Sequence, residues 1–324
     1  AVTGDGKRQW GLKIFGRLHM AMAAVMTFYT VLLLAGAVPD FLKGSVYWDG
    51  TRLHVLYHPN LCAMMLTISI TFSLMSCLET EKLWLRVLLG LWIAAQLGML
   101  SMTNGRTNML FVSMLMGGCA FCALRKSGKT RLLIALLAAA AVVCGVFLGT
   151  QKVMRLHKEN MPMVQAEPSE QVKVTVQGSW EDDIKTLNGR TAIWASAKKG
   201  LEQNPEIKYI GTPYTDVILA QNCYFAPGHT HNSWLEVLYQ LGTPALLGAL
   251  VLTIMAVYDA LVVLLDNHDL CRSFLAVLVL CILGCSMLEP YLFGNSLNYM
   301  MFNCLFMLCL GYLDCWRAEL KKRI

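Results

Sequence analysis

Eight long apolar stretches dominate this chain, and each is about as long as a bilayer-spanning helix, which needs roughly 20 residues. They lie at residues 19–41, 60–78, 83–103, 107–124, 131–150, 244–265, 272–293 and 295–316. Residues 151–230 interrupt the pattern with nine basic and nine acidic residues, a balance typical of a segment in water. The pattern predicts an all-α polytopic integral membrane protein with about eight transmembrane helices and one large loop that contains amphipathic helices.

The same pattern divides the chain into five parts. We expect a basic cytoplasmic tail at 1–18 and transmembrane helices one to five at 19–150. An extracytoplasmic loop follows at 151–231, and a short outer helix with transmembrane helices six to eight follows at 232–316. A second basic cytoplasmic tail at 317–324 ends the sequence.

Composition and charge support this architecture and give it an orientation. Hydrophobic residues make up 56% of the chain and charged residues 15%, which is too apolar for an ordinary soluble domain. With the N-terminus inside, the inner segments hold fifteen Lys and Arg residues and the short outer loops hold three. Because Lys and Arg favour the cytoplasmic side, both termini are expected in the cytoplasm. The net charge of +6 then reflects attraction to an anionic lipid leaflet and does not indicate nucleic acid.

The twelve cysteines do not indicate a metal site. Cys119 and Cys122 have CxxC spacing, but they lie in the apolar stretch MLMGGCAFCAL without a second pair of ligands. Packing cysteines explain this pattern better than zinc does, so no metal is expected.

Two segments on the outer side carry arginines of interest. Arg106 lies in SMTNGRTNML, a short outer turn between two spans. A basic residue is unusual there, because Lys and Arg are enriched in cytoplasmic loops. Arg190 and Trp194 are four residues apart on a helix that Asn188 is expected to cap and Pro205 to end, so they share a face. The predicted apolar line of this helix consists of Ile193, Ala197 and Leu201. A simple membrane anchor is the alternative in both places.

The stretch GHTHNSWLEVLYQLGTPALLG, residues 228–248, predicts a short helix, a break and then a span. Ser233 and Glu236 have the spacing of a capping box, in which Ser caps the helix and Glu reaches back to the backbone. Gly242 suits the break after the short helix, and Pro244 suits the first turn of the next.

Polar residues stand directly before this helix, where free backbone N–H groups favour anions. His231 and Asn232 occupy these positions, and His229 precedes them. Arginine pairs with phosphate oxygens, and histidine can take a proton from a hydroxyl near neutral pH. Together such groups suit a diphosphate leaving group and an activated sugar hydroxyl. A structural histidine remains the alternative.

HTHNSWLEVLYQLGTPALLG resembles the His-Asn signature of the O-antigen ligase and O-antigen polymerase superfamily of bacterial membrane glycosyltransferases. TNGRTNMLF resembles that family's Ser/Asn-x-Arg motif, and GRTAIWASAKKGLEQNP resembles the Arg-x-x-x-Trp helix of its large periplasmic loop. HPNLCAMML at 58–66 is similar to the entry of an earlier helix. The resemblance covers roughly residues 50–300 and keeps the order of the motifs. Family chains commonly carry more spans, so further N-terminal helices are expected upstream.

The resemblance implies a fold of the GT-C type in the bacterial inner membrane, with an extracytoplasmic active site. It implies metal-independent, inverting transfer of a saccharide, without a cofactor, from an undecaprenyl-diphosphate carrier to a glycan or lipid-glycan acceptor. The catalytic residues would be His231, Arg190 and Arg106. The residues expected to bind substrate are Trp194, Asn232, His229, Asn108 and Glu289.

Three alternatives stay open. A polysaccharide polymerase would use the same donor as a ligase. A flippase or transporter would favour charges at the middle of the membrane, whereas Asp259 lies near the inner end of its span. A non-catalytic scaffold would leave the outer Arg and His residues unexplained. Glu289, in EPYLFGN, fits either an orienting role or an ordinary carboxylate at a helix end near water.

Overall fold

The computed structural model describes residues 10–48, 52–55, 59–124, 144–145, 148, 189–223, 227–266, 270–293 and 297–321. Most of the fifth predicted span at 131–150 lies outside these residues. Asn188, the expected cap of the helix that carries Arg190, lies outside them as well. The chain forms two compact units, Ala1–Ser169 with Val263–Leu278 and Glu170–Val262 with Val279–Ile324.

Four long helices and one small hairpin make up the N-terminal part that the structure describes. The helices are α1 (Trp10–Leu34), α2 (Pro59–Glu79), α3 (Leu83–Met102) and α4 (Arg106–Leu124). A 3-10 turn at Asp40–Leu42 leads from α1 to strands β1 (Val46–Trp48) and β2 (Leu53–Val55). The strands are antiparallel, with Val46 opposite Val55 and Trp48 opposite Leu53.

Helix α2 is the buried centre of this first unit and packs against α1, α3 and α4. Its hydroxyl groups need partners in an apolar interior, and they find them in its own backbone. Thr67, Thr71 and Ser73 each donate a hydrogen bond to the carbonyl four residues earlier, at 2.7 to 2.8 Å. Polar residues therefore occur inside this helix without unsatisfied hydroxyl groups at these three positions.

The second unit holds three shorter helices, α5 (Arg190–Gln203), α6 (Ile207–Ile210) and α7 (Thr215–Asn222). Their apolar faces enclose a core together with a tyrosine from the next helix, and this core consists of Ile193, Ala197, Leu201, Ile207, Leu219 and Tyr239. Its first three members are the apolar line that the sequence predicted at helical spacing. The Tyr239 hydroxyl closes the core by donating to the carbonyl of Ala197.

Three apolar helices follow, α8 (Ser233–Asp266), α9 (Leu270–Cys285) and α10 (Leu297–Lys321). Helix α8 is broken at Gly242, whose φ of 76° and ψ of −177° are not helical. Pro244 lies in the first turn of the second segment. The predicted sequence of short helix, break and span is confirmed.

Five of the described helices are long and apolar enough to cross a membrane. They contain Leu12–Leu34, Pro59–Glu79, Leu83–Met102, Ser233–Leu265 and Tyr299–Ala318, and Leu270–Cys285 is a shorter apolar helix. The chain is therefore a largely helical membrane protein, while the total of eight spans and the GT-C type stay predictions.

Two helices begin or end at other residues than the predicted apolar spans do. Helix α1 begins at Trp10, inside the stretch expected to be a tail, because basic residues such as Lys13 can be helical at the lipid headgroups. Helix α9 ends at Cys285, although apolar residues continue to 293. Residues 286–288 form a turn, and Pro290 disfavours a helical conformation at Glu289.

Candidate active site

His231 occupies the last turn of the loop before α8, and its backbone is in the left-handed region with φ of 52°. This conformation costs a residue with a side chain roughly 1–2 kcal/mol. The backbone N–H of His231 donates to Nδ1 of His229 at 3.2 Å, which helps to hold the bend. The imidazole of His231 is only partly exposed, with 24% of its side-chain surface accessible.

A buried carboxylate orients this imidazole. Nδ1 of His231 lies 3.1 Å from Oε2 of Glu289, in the irregular segment after α9. The other carboxylate oxygen, Oε1, accepts a hydrogen bond from a terminal nitrogen of Arg190 at 2.5 Å. Nε of Arg190 donates to the carbonyl of Leu288 at 2.7 Å, so the guanidinium is fixed to the same segment. Arg190, Glu289 and His231 thus form a continuous chain of polar contacts.

Glu289 is ionised in this arrangement. Burial alone would raise the pKa of its carboxyl group, but the hydrogen bond from His231 and the nearby charges of His231 and Arg190 lower it to about 2. The pKa of the buried hydroxyl of Tyr291, close by, is raised well above its usual value by burial and then by the charge of Glu289. The site therefore holds a fixed negative charge directly behind His231.

His229 lies beside the catalytic candidate, with its ring tilted by 52° against that of His231, and has a different environment. Its ring centre lies 4.0 Å from that of His231, and its Nε2 lies 2.9 Å from the hydroxyl of Tyr299. Burial and then repulsion by His231 lower the pKa of His229 to about 3. Because Nδ1 accepts a backbone N–H, a neutral His229 carries its proton on Nε2 and donates to Tyr299.

Two side chains hold the loop that carries the histidines. The indole N–H of Trp194 donates to the carbonyl of Thr230 at 3.0 Å. Glu236, buried at 3% exposure, accepts both the backbone N–H of Thr230 at 2.8 Å and its hydroxyl at 2.7 Å. Nε2 of Gln240 donates to the other oxygen of Glu236 at 2.6 Å. Thr230 is therefore fixed from two sides, immediately before His231.

The cap of α8 differs from the predicted capping box. Oδ1 of Asn232 accepts the backbone N–H of Leu235 at 3.0 Å, so Asn232 is the cap. Its Nδ2 donates to the carbonyl of Met287 at 3.1 Å. The Ser233 hydroxyl instead accepts the backbone N–H of Leu292 at 3.0 Å. Ser233 lies one residue too far into the helix to cap it, and Glu236 reaches back to Thr230 and not to the cap residue.

Helix α5 begins after Gly189, which has φ of 80° and no side chain to cap the helix. The expected cap, Asn188, lies outside the described residues, so its role stays a prediction. The helix ends at Gln203, shortly before Pro205, as expected. The placement of Arg190 in the first turn is thus due to a glycine bend.

Arg106 and Asn108 belong to the first unit. Arg106 is exposed at the first position of α4 and lines a cleft of about 280 Å³ whose other residues are Ser101, Asn104, Met109, Leu110, Ser113 and Cys144. Asn108 is buried, and its Oδ1 lies 3.2 Å from the Thr67 hydroxyl oxygen. Their participation in the site around His231 stays a prediction.

The second unit brings together the other six predicted site residues: His231, Arg190, Glu289, His229, Trp194 and Asn232. The contacts give Trp194 and Asn232 structural tasks in the site, while direct contact with a sugar stays a prediction for both. Glu236, Thr230 and Tyr299 were not predicted as site residues. Only Glu236 had a sequence signal, because it stands one helical turn after the His-Asn pair.

His229, His231 and Glu289 also have the chemistry of metal ligands, since one donor atom from each lies within 4.8 Å of the others. The hydrogen bonds already described use both nitrogens of His229, Nδ1 of His231 and both oxygens of Glu289. A cation here would compete with the guanidinium of Arg190 for the same carboxylate. The arrangement fits a hydrogen-bonded histidine better than a metal centre.

The fold and the site define a helical membrane protein with an oriented histidine at the entrance of a long span. The sequence profile of the O-antigen ligase family matches residues 89–250, which is half of the chain. The chain belongs to the O-antigen ligase family, a class of glycosyltransferase-like membrane enzymes, and the resemblance described above is confirmed. Neither a curated protein nor a solved structure matches it. Glu289 lies outside the matched range, and its contacts with His231 and Arg190 come from the structure.

Proposed function

We propose that this protein transfers a saccharide from an undecaprenyl-diphosphate carrier to a glycan or lipid-glycan acceptor at the outer face of the bacterial inner membrane. The family supports transfer from a lipid-linked glycan. The single observation that carries the proposal is the contact between His231 and Glu289, because it gives one imidazole the orientation of a general base.

The tautomer of His231 follows from this contact. An ionised Glu289 accepts a hydrogen bond, so in the neutral imidazole of His231 the proton lies on Nδ1 and the lone pair lies on Nε2. The same division of tasks between carboxylate and imidazole operates in Ser-His-Asp enzymes. In this protein Nε2 would take the proton of an acceptor hydroxyl.

The transfer itself is a substitution at the anomeric carbon of the donor sugar. The acceptor oxygen forms the new bond to that carbon while the bond from the carbon to the diphosphate oxygen breaks. The hydroxyl proton passes to Nε2 of His231, and undecaprenyl diphosphate leaves with the electron pair. Attack from the side opposite the leaving group inverts the anomeric configuration. Neither a metal nor a cofactor takes part in these steps.

The arginines have separate tasks in this proposal. Arg190 neutralises the buried charge of Glu289 and keeps the carboxylate in place for His231. Its position in the same contact chain also suits a second interaction with a phosphate oxygen. Arg106, exposed at the start of α4, is proposed to bind the diphosphate. Stabilising the leaving group in this way typically accounts for a large part of catalysis.

The proposed orientation places both termini in the cytoplasm and the histidine loop outside. It rests on the distribution of Lys and Arg among the loops. A flippase is a weaker alternative, because Asp259 in α8 is paired with Arg317 at 2.8 Å and does not stand alone as a proton or ion carrier.

Reconstitution into liposomes with a lipid-linked oligosaccharide tests the proposal. The expected result is transfer to an added acceptor in the presence of EDTA, with release of undecaprenyl diphosphate. Elongation of a second lipid-linked oligosaccharide would identify a polymerase, and extension of a lipid-glycan acceptor would identify a ligase. Movement of the intact donor across the bilayer without transfer would contradict the proposal. Lys199→Ala, at an exposed position of α5, is the matched control for Arg190→Ala.

A further inference from the structure

Large apolar side chains are exposed on α6, on α7 and in the turn between them, in the same unit as the histidine site. They are Tyr209, Ile210, Tyr214 and Val217, and Ile210 has 77% of its surface accessible. Helix α6 has four residues and α7 has eight, so neither is stable by its own hydrogen bonds. A cluster of exposed apolar side chains usually marks an interaction surface.

This segment is joined to the bend of α8 by direct backbone contact. Gly211 and Gly242 both have left-handed φ values, 73° and 76°. A Cβ on Gly242 would overlap the carbonyl of Tyr209, and a Cβ on Gly211 would overlap the carbonyl of Gln240. Two glycines therefore allow the two chains to approach each other at this point.

Two hydrogen bonds secure the same junction. The hydroxyl of Thr243 donates to the carbonyl of Lys208 at 2.5 Å. On the other side of the bend, the backbone N–H of Thr212 donates to the carbonyl of Tyr239 at 2.6 Å. The segment at 208–212 is thus attached to α8 on both sides of Gly242.

The length of the span places this junction at the membrane surface. The 23 residues from Thr243 to Leu265 extend about 35 Å at ~1.5 Å per residue. The hydrocarbon core is about 30 Å thick, so the bend lies near the level of the lipid headgroups. Leu241, next to the bend, is itself 56% exposed, and it continues the apolar surface from α6 to the membrane-spanning segment.

We propose that Tyr209, Ile210, Tyr214 and Val217 form an interfacial anchor that inserts between the lipid headgroups beside α8. Tyrosine suits this depth because its ring is apolar and its hydroxyl remains hydrated. The occupant of the surface is the bilayer that surrounds the adjoining span. The anchor does not depend on which reaction the site performs.

The anchor also fixes the depth of the histidine site. The first segment of α8, Ser233–Leu241, is about 13 Å long at ~1.5 Å per residue. His231 stands at its far end from the bend. An anchor at the bend therefore keeps His231 within roughly 15 Å of the headgroup level, a distance that a lipid-linked substrate can span.

Fluorine NMR of the full chain in lipid nanodiscs tests the anchor. 4-Trifluoromethylphenylalanine replaces Tyr209 or Tyr214 in separate samples. It replaces Ile254 as the lipid-facing reference and Lys199 as the water-facing reference, both at exposed positions. A nitroxide on the lipid acyl chain and a water-soluble gadolinium chelate broaden the resonances in parallel samples.

The expected result at Tyr209 and Tyr214 is stronger broadening by the lipid nitroxide than by the chelate, as at Ile254 and opposite to Lys199. Stronger broadening by the chelate at both tyrosines would overturn the anchor and leave the surface in water. Protection from both agents would also overturn it, because a protein partner or a second copy would then cover the surface. Retained transfer activity or, if transfer is absent, an unchanged thermal unfolding midpoint verifies that each labelled protein is folded.

Discussion

Nδ1 of His231 and Oε2 of Glu289 lie 3.1 Å apart, although 58 residues separate them in the chain. His231 lies immediately before α8, and Glu289 lies in the irregular segment that follows α9. The pairing depends on the early end of α9 at Cys285, because a helix continued to residue 293 would not form the turn that presents this carboxylate.

Replacing Glu289 by Gln should lower the rate of transfer by about 10²–10⁴-fold, because the amide no longer fixes the proton on Nδ1 of His231. The change also leaves Arg190 without its charged partner. Breaking a buried ion pair from one side costs about 3–5 kcal/mol, so the thermal unfolding midpoint should fall as well.

The double variant Arg190→Gln with Glu289→Gln separates these two effects. Removing both charges should recover part of the lost stability without recovering activity. Stability and activity that recover together would contradict a role of Glu289 in orienting His231.

Glu236→Ala should also reduce activity, although Glu236 does not contact His231 directly in the described structure. The variant leaves the buried N–H of Thr230 without its acceptor, at a cost of about 1–3 kcal/mol, and leaves the hydroxyl with the carbonyl of Asn232. Since Thr230 precedes His231, the loop loses its orientation, and kcat should fall more than KM changes.

Glu202→Ala is the matched control, because Glu202 is an exposed carboxylate on α5. It should leave kcat, KM and the unfolding midpoint unchanged. A Glu236→Ala enzyme that loses stability but keeps its kcat would show that the buried network has no part in positioning the base.

Gly242→Ala should destabilise the protein, whereas Gly248→Ala should not. Gly242 has a left-handed φ, which costs a residue with a side chain about 1–2 kcal/mol, and its Cβ would also overlap Tyr209. Gly248 lies in the second segment of the same helix with open space around it, where alanine is favoured by about 1 kcal/mol. Thermal unfolding in detergent measures both, and equal midpoints would refute a close backbone contact at the bend.

The stability of the protein should fall as the pH drops below about 6.5. The pKa of His229 is about 3 in the folded protein against 6.5 ordinarily, so the unfolded chain binds the extra proton between these values. Stability is fully present above 6.5 and is lost toward pH 3, by at most about 1.4 kcal/mol per pH unit from this one group. Glu289 acts in the same direction at lower pH, because its folded pKa is also depressed.

Unfolding midpoints between pH 4 and pH 7 test this dependence, with His229→Gln as the comparison. The variant should show a smaller change of midpoint across this range. An equal slope in both proteins would mean that His229 is not buried in its neutral form.

Local patterns predicted much of the fold. The short helix, the glycine break and the span of α8 follow from the spacing of leucines around Gly242 and Pro244. The apolar line Ile193, Ala197 and Leu201 correctly identified the buried face of α5. These features depend on residues a few positions apart, so they can be predicted from the local sequence pattern.

Contacts between residues that are far apart in the sequence were harder to predict from it. Glu289 looks like an ordinary carboxylate near water, and its burial depends on where α9 ends. Asn232 took the capping task expected of Ser233, because the left-handed backbone of His231 places the start of α8 one residue earlier. The contact of Gly211 with α8 had no sequence signal, because a glycine before a short helix fits many turns.

The rate of saccharide transfer by His231→Ala, with and without added imidazole, tests the central claim most directly. The assay uses proteoliposomes, a lipid-linked oligosaccharide and release of undecaprenyl diphosphate as the readout. We predict that the variant inserts normally and loses about 10²–10⁴-fold in rate, and that imidazole restores part of the activity. Transfer by the variant at the rate of the unmodified protein would contradict the assignment of His231 as the base.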